Sequence, residues 1–159
     1  MATRVRRARG GGWRFSLTPE ERDLVRGLPT LVRSLVEEGD RDDPVLKRLF
    51  PSASLDDAEL AAEFDALSRD ELRRERLANL AAVEATIDAD RLTDDELMAW
   101  VAVLNDVRLT LGVRLGVTED TTPADYPDEG ERATYAMYGY LTWLQDDLVG
   151  ALADAVEGS

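Results

Sequence analysis

The stretch Leu104–Val117, LNDVRLTLGVRLGV, closes a helical pattern that opens near Thr93. At helical spacing Leu97, Trp100, Val101, Leu104, Val107, Leu111 and Leu115 fall in one apolar arc. Such an arc has to be buried against other helices, which commits the chain to a helical bundle. Arg108 falls inside the arc, with Asn105 and Gly112 on its flank. A guanidinium withdrawn from water needs a charged or hydrogen-bonding partner. Two readings follow: a buried ion pair that fixes how helices pack, or a held guanidinium that orients a surface or a ligand anion. Glu63 is the expected partner, because it borders the apolar face that Leu60 and Phe64 give its own helix. Asn105 is expected to help satisfy the site.

Taken in order, the chain begins with Arg4–Ala8 and Trp13–Leu17 around Gly10, Gly11 and Gly12. Trp13, Phe15 and Leu17 alternate with polar residues, which predicts a short hairpin with glycines at the turn. A disordered arm is the alternative. Thr18, Pro19 and Glu21 form a capping box with proline in the first turn. The stripe Leu24, Leu28, Leu31, Val32, Leu35 follows, with a kink or break expected at Gly27–Pro29 and an end at Gly39. Asp43–Pro44 starts a short helix that Pro51 ends. Ser54 is expected to cap a helix with Leu60, Phe64 and Leu67 on its apolar face. Ser68–Glu71 then reads as a fresh capping box, opening a helix with Leu72, Leu80, Val83 and Ile87 inside and Leu77 at its margin. Arg76 lies within that arc, a second inward charge. Thr93–Glu96 caps the central helix, residues 117–128 read as a loop, and the last helix runs from Glu129 to Val156 with Met137, Leu141, Leu144, Leu148, Leu152 and Val156 as its stripe.

The chain has 159 residues, no cysteine and no histidine. Disulfides, thiol chemistry, zinc sites, histidine bases and Ser-His-Asp triads are thereby excluded. Carboxylates, Lys, Tyr or an all-oxygen cation site remain. No metal or other cofactor is expected. Asp40, Asp42, Asp43 and Glu119, Asp120 do not follow the EF-hand pattern and read as solvated surface. No apolar run is long enough for a bilayer and no secretory leader is seen, so the cytoplasm is the default location.

The net charge of −14 is uneven. Residues 1–17 carry Arg4, Arg6, Arg7, Arg9 and Arg14 and no acid, whereas residues 18–159 balance at −19. We therefore divide the chain into a basic hairpin or arm, 1–17, and an acidic helical bundle, 18–159. The bundle repels phosphate backbones and anionic membranes; the arm would bind DNA only weakly and without sequence preference.

Gly112 in mid-helix is expected to mark close backbone approach by a neighbour, and Gly116 suits a helix C-cap. Tyr135, Tyr138, Tyr140 and Trp143 form an aromatic cluster that reads first as core and otherwise as a partner surface.

Arg48-Leu49-Phe50-Pro51, Glu63-Phe64, Asn105-Asp106, Arg108-Leu109 and Leu111-Gly112 carry a resemblance over most of the chain. The chain resembles an actinobacterial family of unknown function, often encoded beside the ClpS protease adaptor, that includes AosR-like oxidative-stress transcriptional regulators. The resemblance implies a cytosolic regulator that acts in stress-responsive transcription through a sigma factor or polymerase. The family's redox role rests on a cysteine pair, which this chain lacks, so thiol sensing does not carry over.

These observations lead to an all-α fold, a single bundle of five or six helices with a short N-terminal β-hairpin. The functional expectation is a non-enzymatic interaction and regulatory protein. Its expected structural or partner-binding residues are Glu63, Phe64, Asn105, Asp106, Arg108 and Gly112. An accessory of ClpS-linked proteolysis is the second reading. A carboxylate-based enzyme that holds an anion at Arg108 is the third, and a homodimer is left open. With no thiol, peroxide should leave circular dichroism and partner binding unchanged except for slow oxidation of the three methionines. A fast change reversed by reductant would contradict this.

Overall fold

The computed structural model describes residues 2–38, 43–49 and 58–157. Among them are six α-helices and a small antiparallel sheet: β1 (Val5–Arg7), β2 (Trp13–Phe15), α1 (Pro19–Arg26), α2 (Leu28–Glu38), α3 (Pro44–Leu49), α4 (Ala58–Thr86), β3 (Arg91–Leu92), α5 (Asp94–Leu115) and α6 (Glu129–Glu157). A single 3-10 turn, Pro123–Asp125, interrupts the loop before α6. The fold is the expected helical bundle with an N-terminal hairpin.

Local chemistry explains most boundaries. Thr18 and Thr93 both cap with the side chain accepting from the N3 amide while the N3 glutamate accepts in return, so α1 and α5 start where their capping boxes stand. Gly27 ends α1 and Leu28 begins α2, which resolves the expected kink as a break. Asp43 accepts from the Val45 amide at 2.8 Å and so starts α3. Gly116 terminates α5 in the left-handed region, φ 67°. The hairpin turns through Gly10, Gly11 and Gly12, all at positive φ.

The sheet holds one strand more than the sequence suggests. The link between α4 and α5 forms β3, which pairs Leu92 with Trp13 and Arg91 with Arg14. Two residues carry no readable period, so β3 is visible only once the hairpin lies against it. Gly12 lies so close that a Cβ there would come within 2.7 Å of the Leu92 carbonyl oxygen. The Trp13 indole N–H donates to the Asp94 carboxylate at 2.7 Å, and Phe15 meets Trp100 edge-to-face at 4.9 Å between centroids. Val5, Trp13, Phe15 and Leu17 consequently share one core with the helices.

Two expectations for α4 are corrected. It is a single helix, running straight through Ser68–Glu71. A capping box opens a helix only where the preceding residues leave helical conformation, and no described residue of α4 before Ser68 is a glycine or proline that would force this. The expected Ser54 cap lies outside the described residues. Leu60, Phe64 and Leu67 are 55, 52 and 72% exposed rather than core. The apolar face of α4 that packs is instead Leu80, Val83 and Ile87, near its C-terminal end.

Helix α5 is the central element, with α4, α3 and α6 packed around it. Leu97, Trp100, Leu104, Val107 and Leu111 are buried as expected, but so are Ala99, Val103, Asp106 and Thr110 on other faces. A helix enclosed this way has to satisfy its polar side chains internally. Thr110 donates to the Asp106 carbonyl at 2.8 Å, and the Trp100 indole N–H donates to Thr86 Oγ1 at 2.8 Å. The Asp106 carboxylate, 6% exposed, faces Arg76 Nε of α4 at 3.4 Å. Arg76 is therefore inward-facing, as its position in the α4 stripe requires.

Burial pushes the Asp106 carboxyl up to about 6, and the Arg76 guanidinium only partly offsets this. In the unfolded chain the group titrates near 3.8. Between these values the folded state holds the proton and the unfolded state releases it, so this group's contribution to stability falls as pH rises through about 4 to 6. Asp106→Asn should match wild type near pH 4 and gain on it as pH rises through about 6. Urea melts of both proteins across this range test it, and parallel pH profiles would contradict it.

Candidate functional site

The site begins with Arg108, on the α5 face that looks toward α6. Its Nε donates to Thr142 Oγ1 at 3.1 Å, and its Nη1 donates to the side-chain carbonyl of Gln145. The guanidinium also lies 5.9 Å from the centroid of the Tyr138 ring. Thr142 Oγ1 in turn donates to the Tyr138 carbonyl, which fixes its lone pairs toward Arg108. Tyr138, Thr142 and Gln145 stand on successive turns of α6, so helical spacing alone aligns them along α5.

Arg108 is thus held by neutral groups, not by Glu63. Glu63 is solvent-exposed on the N-terminal half of α4 beside exposed Phe64. The expected pairing fails because that half of α4 does not bury its apolar stripe. Asn105 is exposed and does not bond Arg108 among the described residues; it lines the cleft beside it. The buried arginine–carboxylate pair of α4 and α5 does exist, but it is Arg76 with Asp106. The sequence turned Arg76 inward and named Asp106 only as a candidate site residue, and it matched neither to the other, because partner choice depends on how α4 is rotated about its axis.

Beside Arg108 lies a cleft of about 370 Å³ lined by residues of α3, α5, the loop after α5, and α6. Arg48 and Arg108 contribute its cations, Asn105 and Thr118 its neutral polar groups, and Leu109 and Tyr138 apolar surface. No aspartate or glutamate is among its described lining residues. Gly112 lines it as well. The close backbone approach expected at this glycine is absent among the described residues: a Cβ there would meet only the Tyr138 ring, at an ordinary contact distance of 3.5 Å. A larger groove of about 600 Å³ runs between β1 and α6, but Arg6 and Arg7 share its lining with Asp146, Asp147 and Asp154.

The expected basic arm is partly used up by folding. Arg4 donates from Nε to Glu21 at 2.8 Å, and its amide donates to Asp147 at 2.8 Å. The Tyr140 hydroxyl donates to the second Glu21 oxygen at 2.5 Å. Burial opposes ionisation of Glu21, yet the Thr18 amide, Tyr140 and Arg4 together hold its carboxyl below the usual range. Burial and this bond to Glu21 both push the Tyr140 hydroxyl up. Arg4 therefore joins β1 to α1 and α6, while Arg6, Arg7, Arg9 and Arg14 stay exposed. The aromatic cluster divides accordingly. Tyr140 and Trp143 pack toward Arg4, and Tyr135 and Tyr138 pack with Tyr126 toward the cleft.

No group of three or more metal-ligating side chains occurs among the described residues. Asp43, expected as solvated surface, is shielded and binds Arg114 at 2.8 Å; Glu119 and Asp120 are exposed. Asp40 and Asp42 lie outside the described residues.

Neutral partners set a smaller energy scale for Arg108 than a carboxylate would. Arg108→Ala should cost about 1–3 kcal/mol, the loss of hydrogen bonds to Thr142 and Gln145. The 3–5 kcal/mol typical of a stranded buried charge, roughly, should not appear. Glu63→Gln should change stability by less than about 0.5 kcal/mol. Urea melts of the two variants check both values.

A family model described as a domain of unknown function, DUF2017, matches residues 2–152. The oxidative stress regulator AosR of Mycobacterium tuberculosis is 28% identical, over 92% of this chain and 84% of its own length. The putative oxidative stress regulator AosR of Mycobacterium leprae is 27% identical, over 94% of this chain and 86% of its own. No solved structure matches the chain. With nearly its whole length covered, from the hairpin through most of α6, the chain belongs to the DUF2017 family.

Proposed function

We propose that the protein is a non-enzymatic regulator that works in the cytoplasm by contact with a protein of the transcription machinery, a sigma factor or polymerase. The observation that carries this reading is the likeness, over nine-tenths of the chain, to proteins named oxidative stress regulators. Residue chemistry supports the non-enzymatic part, because the chain offers no histidine and no cysteine. Among the described residues no helix is long and apolar enough to cross a membrane.

The surface we assign to the partner is the exposed stripe Leu60, Phe64 and Leu67 on α4. Large apolar side chains at helical spacing, left in water, suit a helix-in-groove or helix-on-helix contact. The absence of cysteine sets this chain apart from a thiol sensor, so its input differs from reversible disulfide formation. Exposed Arg6, Arg7, Arg9 and Arg14 add at most a weak, salt-sensitive attraction to DNA.

Affinity capture from the native cell, followed by peptide identification, tests the reading. Sigma-factor or polymerase peptides are the expected result, and their recovery should fall with Phe64→Ser while the melting temperature holds. Recovery of Clp components instead would replace this reading with an accessory role in proteolysis.

A further inference from the structure

We infer that the cleft between α3, α5 and α6 binds a small organic dianion, with Arg108 and Arg48 as its two cationic contacts. Arg108 carries the inference. Arg4, Arg22, Arg33 and Arg76 are shielded arginines and each faces a carboxylate. Arg108 is shielded too, yet its described partners are a hydroxyl, an amide carbonyl and an aromatic ring. These groups orient the guanidinium without cancelling its charge. The structure shows a second arginine, Arg48, on the same cleft and no acid among the described lining residues, in a chain with 33 acidic residues.

Charge placement this uneven matters energetically. Two guanidiniums around one cavity repel each other, and a bound dianion removes that repulsion while adding charge-assisted hydrogen bonds. Arginine's planar fork suits carboxylate and phosphate groups alike. Leu109 and Val113 supply apolar wall, and the Tyr138 ring stands beside Arg108. The ligand is therefore an anion with an apolar or flat body, not a bare inorganic ion. A volume of about 370 Å³ holds a molecule of this kind. The neighbouring clefts lack this imbalance: in one Arg114 is paired with Asp43, and in the other Arg6 and Arg7 share the groove with three aspartates. This inference stands apart from the partner assigned above, since it rests on the cleft alone.

Amide-detected NMR titration of the full chain tests it with phenyl phosphate and phthalate, and with phenol as the neutral control. Saturable shifts at the Gly112, Gly116 and Thr118 amides are expected with at least one of the anions and not with phenol. The tighter of the two identifies the head group. Arg48 is exposed, so Arg48→Ser leaves the fold intact and should weaken binding by about tenfold. Arg108→Gln, verified folded by circular dichroism, should weaken it further. Absence of saturable shifts, equal binding of phenol, or affinities indifferent to both substitutions would overturn the inference.

Discussion

Enclosure of α5 is the constraint on which the structure turns. Helices α3, α4 and α6 cover it on different sides, so each polar side chain they bury has to find a partner inside the protein. Each solution is different. Asp106 takes a cation from α4, Thr110 takes the helix's own carbonyl, and Arg108 takes neutral groups from α6. Trp100 gives its indole proton to Thr86, which secures α5 to the end of α4 just before the chain turns back. These bonds set the rotation of α5 between its neighbours more narrowly than apolar contact would, because a misrotated helix strands a donor or an acceptor.

The hairpin is the second organising element. A two- or three-residue strand has no independent stability. It persists here because Trp13 and Phe15 complete the core at the α4–α5 corner and because Arg4, Glu21 and Tyr140 connect it to α1 and α6. Residues that look like a solvated basic arm in the sequence therefore serve two purposes. Arg4 holds the fold, and Arg6, Arg7, Arg9 and Arg14 remain on its surface.

Opposite ends of α4 show how the same helix can serve fold and function. Its C-terminal half buries Leu80, Val83 and Ile87 and carries Arg76 to Asp106. Its N-terminal half presents Leu60, Phe64 and Leu67 to solvent. Apolar periodicity reports that a face is meant to be covered, without saying whether the cover comes from the same chain.

The sequence by itself determined what depends on near neighbours along the chain. Capping boxes at Thr18 and Thr93, the glycine turn at Gly10–Gly12, the C-cap at Gly116 and the centres of the α5 and α6 stripes are local physics and appear where their residues stand, whereas Val156, expected in the α6 stripe, is exposed because the end of the helix runs past its neighbours. Residue types also excluded thiol and histidine chemistry outright. Tertiary structure alone decided how these pieces meet. It added β3, gave Asp106 to Arg76, and left Arg108 with Thr142 and Gln145. The physical reason is that a helical projection states which side of a helix a residue occupies but not which neighbour stands there. A buried charge makes pairing necessary, and the rotation of whole helices selects the partner.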